Sequence, residues 1–230
     1  CIAGFLSVTP KIGAIFALAQ FTSDLPVSEE AARASLAVVS AASMTFGNLV
    51  ALRQSKLVRL LAYSTVAQAG YFLLALVVPP TNPFGTQALI VFAAAYAAMN
   101  LGAFAIAARL PKTLDKLSGL AQSEAWLSAG LTLIFFSLVG IPPLFGFAGK
   151  LLLFGAAIDG GFAWLAVIAI LNSALSLAVY LRVVYPIYFG PAPDSATKET
   201  PTRLNTLVWS ICLAVTALGG PLAHFVINGV

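Results

Sequence analysis

Charged side chains are scarce in this sequence, and their scarcity excludes most classes of soluble protein. Only 9% of the 230 residues are Asp, Glu, Lys or Arg, whereas soluble domains carry about 25%. The chain is 60% hydrophobic and has a mean hydropathy of +0.97. A water-soluble fold of this length cannot bury so much apolar surface, so the sequence predicts an integral membrane protein.

Cysteine and histidine are also rare, with two of the former and one of the latter. Cys1 and Cys212 stand among apolar residues without CxxC spacing, which favours small core residues over a metal or disulfide role. The sequence has neither the cysteine clusters of iron–sulfur sites nor a glycine-rich nucleotide fingerprint. We therefore expect no redox cofactor and no metal in this chain. For His224, near the end of the last apolar stretch, a headgroup contact is favoured over a proton exit.

Long apolar stretches are what the sequence has instead. Most are about 19 to 25 residues long, which suits helices that cross a hydrocarbon core about 30 Å thick. They lack the ten-residue alternation of an outer-membrane barrel. We predict an all-α, polytopic membrane helix bundle in a single membrane domain, residues 1–230. The seven predicted segments are 2–21, 34–52, 60–79, 86–108, 126–158, 162–189 and 204–227.

Basic residues are concentrated in every second connector between these segments. The only basic residue in the odd-numbered connectors is Arg33. By the positive-inside rule these connectors therefore face away from the cytoplasm. This arrangement places the C-terminus outside the cytoplasm, and it explains the net charge of +4 without a nucleic-acid surface. The even-numbered connectors and their flanks hold Arg53, Lys56, Arg59, Arg109, Lys112, Lys116, Arg182, Lys198 and Arg203.

The beginning of the chain is apolar and starts with Cys1 rather than Met. No basic n-region and no cleavage motif follow, so a signal peptide is not predicted. We expect the sequence to be the C-terminal part of a longer protein.

The fifth segment is too long for one straight helix. Residues 126–158 would extend about 50 Å, against a hydrocarbon core of about 30 Å. Pro142 and Pro143 remove backbone donors, and the residue before each proline is driven out of the helical region. We predict two half-helices joined by an irregular stretch near 140–146. Broken helices at the membrane midplane are where transporters place ion sites.

Two lysines are isolated within these apolar segments. Lys11 has no carboxylate within ten residues, and Lys150, just past the predicted break, has none within eight. An ammonium in hydrocarbon costs about 3 kcal/mol, so it usually faces a bundle interior or a watery cavity. Such a group can be neutral for part of the time, which suggests proton movement. The alternative is that either lysine snorkels to the surface. Pro10 predicts a helix break or kink beside Lys11.

Five strings in the chain together resemble the proton-translocating, antiporter-like subunits of respiratory complex I, the NADH-quinone oxidoreductase. The segment AAAYAAMNLGAFAIAA favours the subunit N branch, because the L and M branches carry histidine-bearing strings there. The five strings are GNLVALRQSKLVRLLAYSTVAQAGYFLLAL, LGAFAIA, LSGL, FFSLVGIPPLFGFAGKLLLF and LNSALSLAVYLRVVYPIYF.

This resemblance implies a fold of fourteen membrane helices in two inverted repeats, with helices seven and twelve broken. The seven segments are similar to the last seven helices, and 126–158 to broken helix twelve. Lys11 matches the central lysine of helix eight, and Lys150 matches the lysine of helix twelve. Many relatives have a lysine at the position that Val58 occupies in this chain. Lys56 is expected to supply that cytoplasmic charge instead.

The resemblance also implies a mechanism and a set of partners. Protons would pass from Lys11 through ordered waters to Lys150 and leave by a half-channel. FMN, iron–sulfur clusters, NADH and quinone would belong to other subunits of the complex. The partners would be membrane-arm subunits, the NADH-oxidising peripheral arm and the lipid of a bacterial cell membrane. Polar residues expected to line the water path, or alternatively to form hydrogen bonds between helices, are Ser64, Thr65, Gln68, Tyr96 and Asn100. Many relatives have a histidine near the position of Gln68. This chain lacks it, so no titrating role is expected there.

Other functions remain open at the level of sequence. A sodium/proton antiporter subunit or a membrane-bound hydrogenase subunit would share the broken helix and the lysines. An independent transporter of a small solute would need more polar groups than FFSLVGIPPLFGFAGK supplies. A membrane scaffold without transport is favoured only if 1–230 is the full length.

Overall fold

The structure is a computed structural model that describes residues 2–23, 29–79, 82–191 and 203–228. Within these ranges the secondary structure consists of helices, two short 3-10 turns and one isolated antiparallel bridge. A helix satisfies its own backbone groups, which lipid cannot do, so long apolar stretches fold in this way. The helices are α1 (Ile2–Ser23), α2 (Glu29–Leu52), α3 (Leu57–Leu73), α4 (Pro83–Ala107), α5 (Leu120–Ser123), α6 (Ala125–Val139), α7 (Phe145–Asp159), α8 (Ala163–Phe189) and α9 (Arg203–Asn228).

In the described part of the chain, six helices are long and apolar enough to cross a membrane: α1, α2, α3 with its 3-10 extension, α4, α8 and α9. The remaining apolar segment consists of α6 and α7, each of 15 residues, separated by a non-helical linker that contains Pro142 and Pro143. The prediction of an all-α, polytopic membrane bundle is therefore confirmed.

Several details differ from the sequence-based expectations. Helix α2 begins at Glu29 rather than at 34, and α3 begins at Leu57 rather than at 60. The predicted break at Pro10 is wrong, because α1 continues through this residue as one helix. A single proline removes only one backbone donor, and membrane helices tolerate that loss where neighbouring groups bind the freed carbonyls. The side chain of His224 lies outside the part of the chain that the structure describes.

Helix α4 packs against α1, α3, α6, α7 and α9, so it is the central helix of the bundle. Asn82 caps its N-terminus by accepting a hydrogen bond from the Phe84 amide at 2.9 Å, and Pro83 occupies the first turn. Helices α2 and α3 approach closely at Gly70, where a Cβ atom would lie 2.7 Å from the carbonyl oxygen of Ser40. The hydroxyl of Ser40 donates to the carbonyl of Gly70 at 2.7 Å. Small residues at such crossings allow membrane helices to pack tightly.

The connector between α2 and α3 pairs with the connector that follows α4. The amide of Leu57 donates to the carbonyl of Lys112 at 3.0 Å, and the amide of Leu114 donates to that of Ser55 at 3.0 Å. The amide of Gly119 donates to the carbonyl of Pro186 at 2.9 Å, which adds the end of α8 to the same side. Two of the basic connectors identified in the sequence, together with the end of α8, thus meet at one end of the bundle.

Candidate functional site

The end of α6 is shaped by a glycine. Gly140 follows the last helical residue with φ +95°, a conformation that favours glycine. Its amide and that of Ile141 donate to the carbonyls of Phe136 and Ser137 at 3.0–3.1 Å. This is the Schellman arrangement of a helix C-terminus. It satisfies two of the four carbonyls that a helix end leaves free.

The other two free carbonyls of α6 are bound by side chains from neighbouring helices. The Gln68 amide nitrogen on α3 donates to the carbonyl of Leu138 at 3.3 Å. Lys150 Nζ on α7 donates to the carbonyl of Val139 at 3.0 Å. Unpaired backbone groups at membrane depth are costly, and these two side chains remove that cost by binding the last free carbonyls at the end of α6.

Lys150 is held inside the bundle without a carboxylate among its hydrogen-bond partners in the described part of the chain. Its side chain is 2% exposed, so it does not snorkel to the surface. Besides the carbonyl of Val139, Nζ donates to Ser173 Oγ on α8 at 2.9 Å. It also lies 4.1 Å from the ring centroid of Tyr71 on α3, which is a cation–π distance. Four helices, α3, α6, α7 and α8, therefore converge on one ammonium group.

Lys11 is the centre of a second polar group, formed by α1, α3 and α4. The partly buried Nζ donates to the carbonyl of Thr65 and to the hydroxyl of Tyr96, the latter at 3.2 Å. The Tyr96 hydroxyl donates in turn to the carbonyl of Ser7 at 2.9 Å. Asn100 donates to the same hydroxyl at 3.0 Å. Tyr96 and Asn100, singled out in the sequence, thus lie beside Lys11.

The other residues expected to line a water path have more varied partners. Ser64 Oγ lies 2.5 Å from the hydroxyl of Tyr180 on α8. Thr65 turns its own hydroxyl back to the carbonyl of Ala62 at 2.8 Å, so only its carbonyl faces Lys11. Gln68 Oε1 is buried and has no hydrogen-bond partner among the described residues. Gln68 therefore brings an available acceptor to the same break that Lys150 caps.

Tyr71 and Ser173 are site residues that sequence reasoning missed. A signal for Tyr71 was present, because Ser64, Gln68 and Tyr71 follow one another at spacings of four and three residues. Side chains at these spacings share one face of a helix. For Ser173 the signal is weaker, since its neighbours Asn172 and Ser176 only mark α8 as a helix with polar positions.

A further polar cluster, also missed, joins α2 to α8. Asn48 Nδ2 donates to both the carbonyl and the side-chain oxygen of Asn172 at 3.1 Å. Asn172 Nδ2 donates to Thr45 Oγ1 at 3.1 Å and to the carbonyl of Ile168 at 3.0 Å. Both asparagines are buried. The cluster fixes the part of α8 from which Ser173 reaches Lys150.

The start of α7 is tied to α6 by a serine. The amide of Gly146 donates to Ser137 Oγ at 3.0 Å, and this hydroxyl lies 2.9 Å from the sulfur of Met99 on α4. The serine thereby keeps the two half-helices and the central helix together at the linker that contains Pro142 and Pro143.

The sequence profile of one transmembrane family, described as NADH:quinone oxidoreductase/Mrp antiporter, matches residues 2–176. The match covers more than half of the 230 residues. The chain belongs to this antiporter family.

Curated members of the antiporter family match almost the whole chain. NADH-quinone oxidoreductase subunit N 1 of Streptomyces griseus subsp. griseus is 39% identical over 229 residues, which are 99% of this chain and 49% of that protein. Subunit N of Mycobacterium sp. (strain JLS) is 38% identical over 97% of this chain and 49% of that protein. The resemblance found in the sequence is confirmed. The chain spans about half the length of these curated relatives.

Solved structures of the antiporter family share the fold. A chain of respiratory complex I from Thermus thermophilus with bound aureothin has a TM-score of 0.74 at 31% identity, covering 84% of this chain and 44% of that one. A chain of the Mrp complex from a Dietzia species has a TM-score of 0.77 at 27% identity, covering 85% and 37%. The arrangement of the helices is thus that of the antiporter family.

Proposed function

We propose that this chain carries the last part of a proton path in a subunit N of NADH-quinone oxidoreductase. The observation that carries the proposal is Lys150, an ammonium buried at a broken helix without a carboxylate partner among the described residues. Buried ionisable groups in membranes mark proton and ion pathways. The identity of 38–39% to proteins named subunit N supports this family branch for the whole described bundle.

The proposed path runs from the Lys11 group to the Lys150 group. Helix α3 contacts both, since its Thr65 carbonyl binds Lys11 and its Tyr71 ring faces Lys150. The free acceptor of Gln68 lies between these positions along α3. Water ordered by such acceptors connects the two lysines in this proposal, as buried water normally binds otherwise unsatisfied polar groups.

The proposed partners and cofactors lie outside this chain. Other membrane-arm subunits would flank the bundle, and the NADH-oxidising arm would contain FMN and the iron–sulfur clusters. Electron transfer from NADH to quinone would take place there and drive the protons through coupling between subunits. The chain would be inserted in a bacterial cell membrane with its C-terminus outside the cytoplasm.

The direct test is Lys150→Ala in the assembled complex. Because alanine cannot carry a proton, we expect NADH-driven acidification of membrane vesicles to fall at least severalfold at equal amounts of complex. Lys116→Ala, which removes an exposed connector lysine, is the matched control and should leave acidification unchanged. Normal acidification by a normally assembled Lys150→Ala complex would overturn the proposal.

A second candidate is an Mrp-type cation/proton antiporter subunit, favoured by the structural similarity to the Mrp complex. The two candidates differ in what accompanies the chain. Purification of the native complex through a tag on this chain should yield NADH-oxidising activity for the first candidate. A complex without that activity, in which a sodium gradient drives proton movement, would support the second.

A further inference from the structure

The ammonium of Lys150 has an unusual set of neighbours for a buried cation. Its Nζ donates to the carbonyl of Val139 and to the hydroxyl of Ser173, and it lies over the ring face of Tyr71. Buried charges are normally paired with an opposite charge. In this site the place of an opposite charge is taken by two neutral groups, a carbonyl and a hydroxyl, and by the face of an aromatic ring.

Tyr71 is held so that its ring face stays under the ammonium. Its hydroxyl donates to the carbonyl of Ala169 at 2.9 Å, and it lies 3.0 Å from Ser173 Oγ. The ring also packs against Phe92 and Phe154, with centroids 6.5 and 6.4 Å away. The side chain is 0% exposed. The hydroxyl and the ring contacts therefore fix the orientation on which a cation–π contact depends.

The direction of the hydrogen bonds decides between a relay and a positioning role. Tyr71 uses its one proton for the carbonyl of Ala169, so Ser173 is the donor to the Tyr71 hydroxyl. Ser173 in turn accepts from Lys150. All donors point away from the lysine, and the chain ends at a backbone carbonyl, which cannot pass a proton on. This arrangement stabilises a charge at Lys150 and offers its proton no exit through Ser173 and Tyr71.

We propose that Tyr71 is a positioning residue that holds the charged form of Lys150 with its ring face, in place of a carboxylate. The inference rests on the proposed proton-carrying role of Lys150. A carboxylate at this position would bind the proton-carrying group so strongly that release would be slow. A ring supports the charge and leaves it without a fixed opposite charge in a low-dielectric site.

The test uses ring substitution at position 71 in the assembled complex. Phenylalanine and its mono-, di- and trifluorinated analogues keep nearly the same shape, while each fluorine weakens the negative potential of the ring face. We expect Tyr71→Phe to retain most of the NADH-driven acidification. We expect a stepwise loss along the fluorinated series, on the order of tenfold at the trifluorinated ring. The same series at Phe104, a buried ring on α4, is the control and should give no gradation.

Two results would overturn the inference. One is equal acidification along the fluorinated series at position 71. The other is acidification by Tyr71→Leu that equals that of Tyr71→Phe in complexes assembled to the same level on native gels. Lys150→Ala separates this failure from that of the proposed function. A flat fluorinated series together with loss in Lys150→Ala removes the role of Tyr71 and leaves the proton path intact.

Discussion

A buried lysine in this protein is stabilised by groups that come from other helices. Lys150 lies on α7, while its partners are on α3, α6 and α8. Lys11 lies on α1, and its partners are on α3 and α4. At the scale of single residues, the surroundings of each lysine are thus formed by side chains and carbonyls from several helices. A substitution on one of those helices, far away in sequence, therefore changes the contacts of the lysine.

The paired asparagines of α2 and α8 give a prediction at this scale. Asn172→Leu removes the side-chain oxygen that accepts from the buried amide of Asn48 and leaves it only the backbone carbonyl at position 172, and an unsatisfied buried donor costs about 1–3 kcal/mol. We expect a lower melting temperature of the detergent-solubilised complex. The double variant Asn48→Leu/Asn172→Leu should melt closer to the native complex, because it leaves no unpaired amide. If the two losses simply add, the pair is not the reason for the effect.

Residue chemistry could be predicted from the sequence only where a residue contradicts its surroundings. Lys11 and Lys150 are predictable because a charge within an apolar segment is costly whatever the fold. Tyr71 and Ser173 are not, because a tyrosine or serine is compatible with any membrane helix and acquires its role only from the helix that it faces. The carbonyl of Val139 is invisible to side-chain patterns, since it becomes available only when α6 ends.

At the scale of elements, the two proline sites have opposite outcomes. Pro10 is a single proline, and α1 continues through it. At the other site, Gly140 takes a positive φ, and Pro142 and Pro143 follow after one intervening residue. One missing donor can be tolerated, whereas a glycine turn with two missing donors ends the helix. The break between α6 and α7 is therefore predictable from the sequence. For α1, the sequence does not distinguish a helix that continues through Pro10 from one that breaks there.

The contact between α9 and the linker gives a prediction at the element scale. A Cβ atom at Gly220 would collide with the carbonyl of Pro143, so α9 covers the non-helical backbone only because glycine is there. Gly220→Val should push α9 away and expose unpaired backbone to lipid, which is costly. We expect a severalfold lower yield of assembled complex on native gels.

Gly13→Ala is the matched control for this prediction. It adds a methyl group on α1 where no atom lies within 4 Å, so assembly should be unchanged. Equal yields of the Gly220→Val and Gly13→Ala complexes would show that α9 does not seal the linker.

For the whole molecule, the central prediction concerns orientation. Two basic connectors and the end of α8 meet at one end of the bundle, and the positive-inside rule predicts that this end lies in the cytoplasm. A cysteine introduced as Asp159→Cys should react with a membrane-impermeant maleimide from outside intact cells. Lys116→Cys should react only in inverted vesicles. The reverse pattern would place the C-terminus in the cytoplasm.

The bond between Lys150 and the carbonyl of Val139 joins a chemical event to a mechanical one. A charged donor forms a hydrogen bond roughly twice as strong as a neutral one, so loss of the proton loosens the end of α6. By reciprocity, a force that moves the end of α6 away alters how tightly the lysine keeps its proton. If Lys150 carries protons as proposed, displacement of the end of α6 and the charge of Lys150 would therefore be coupled, each changing the other.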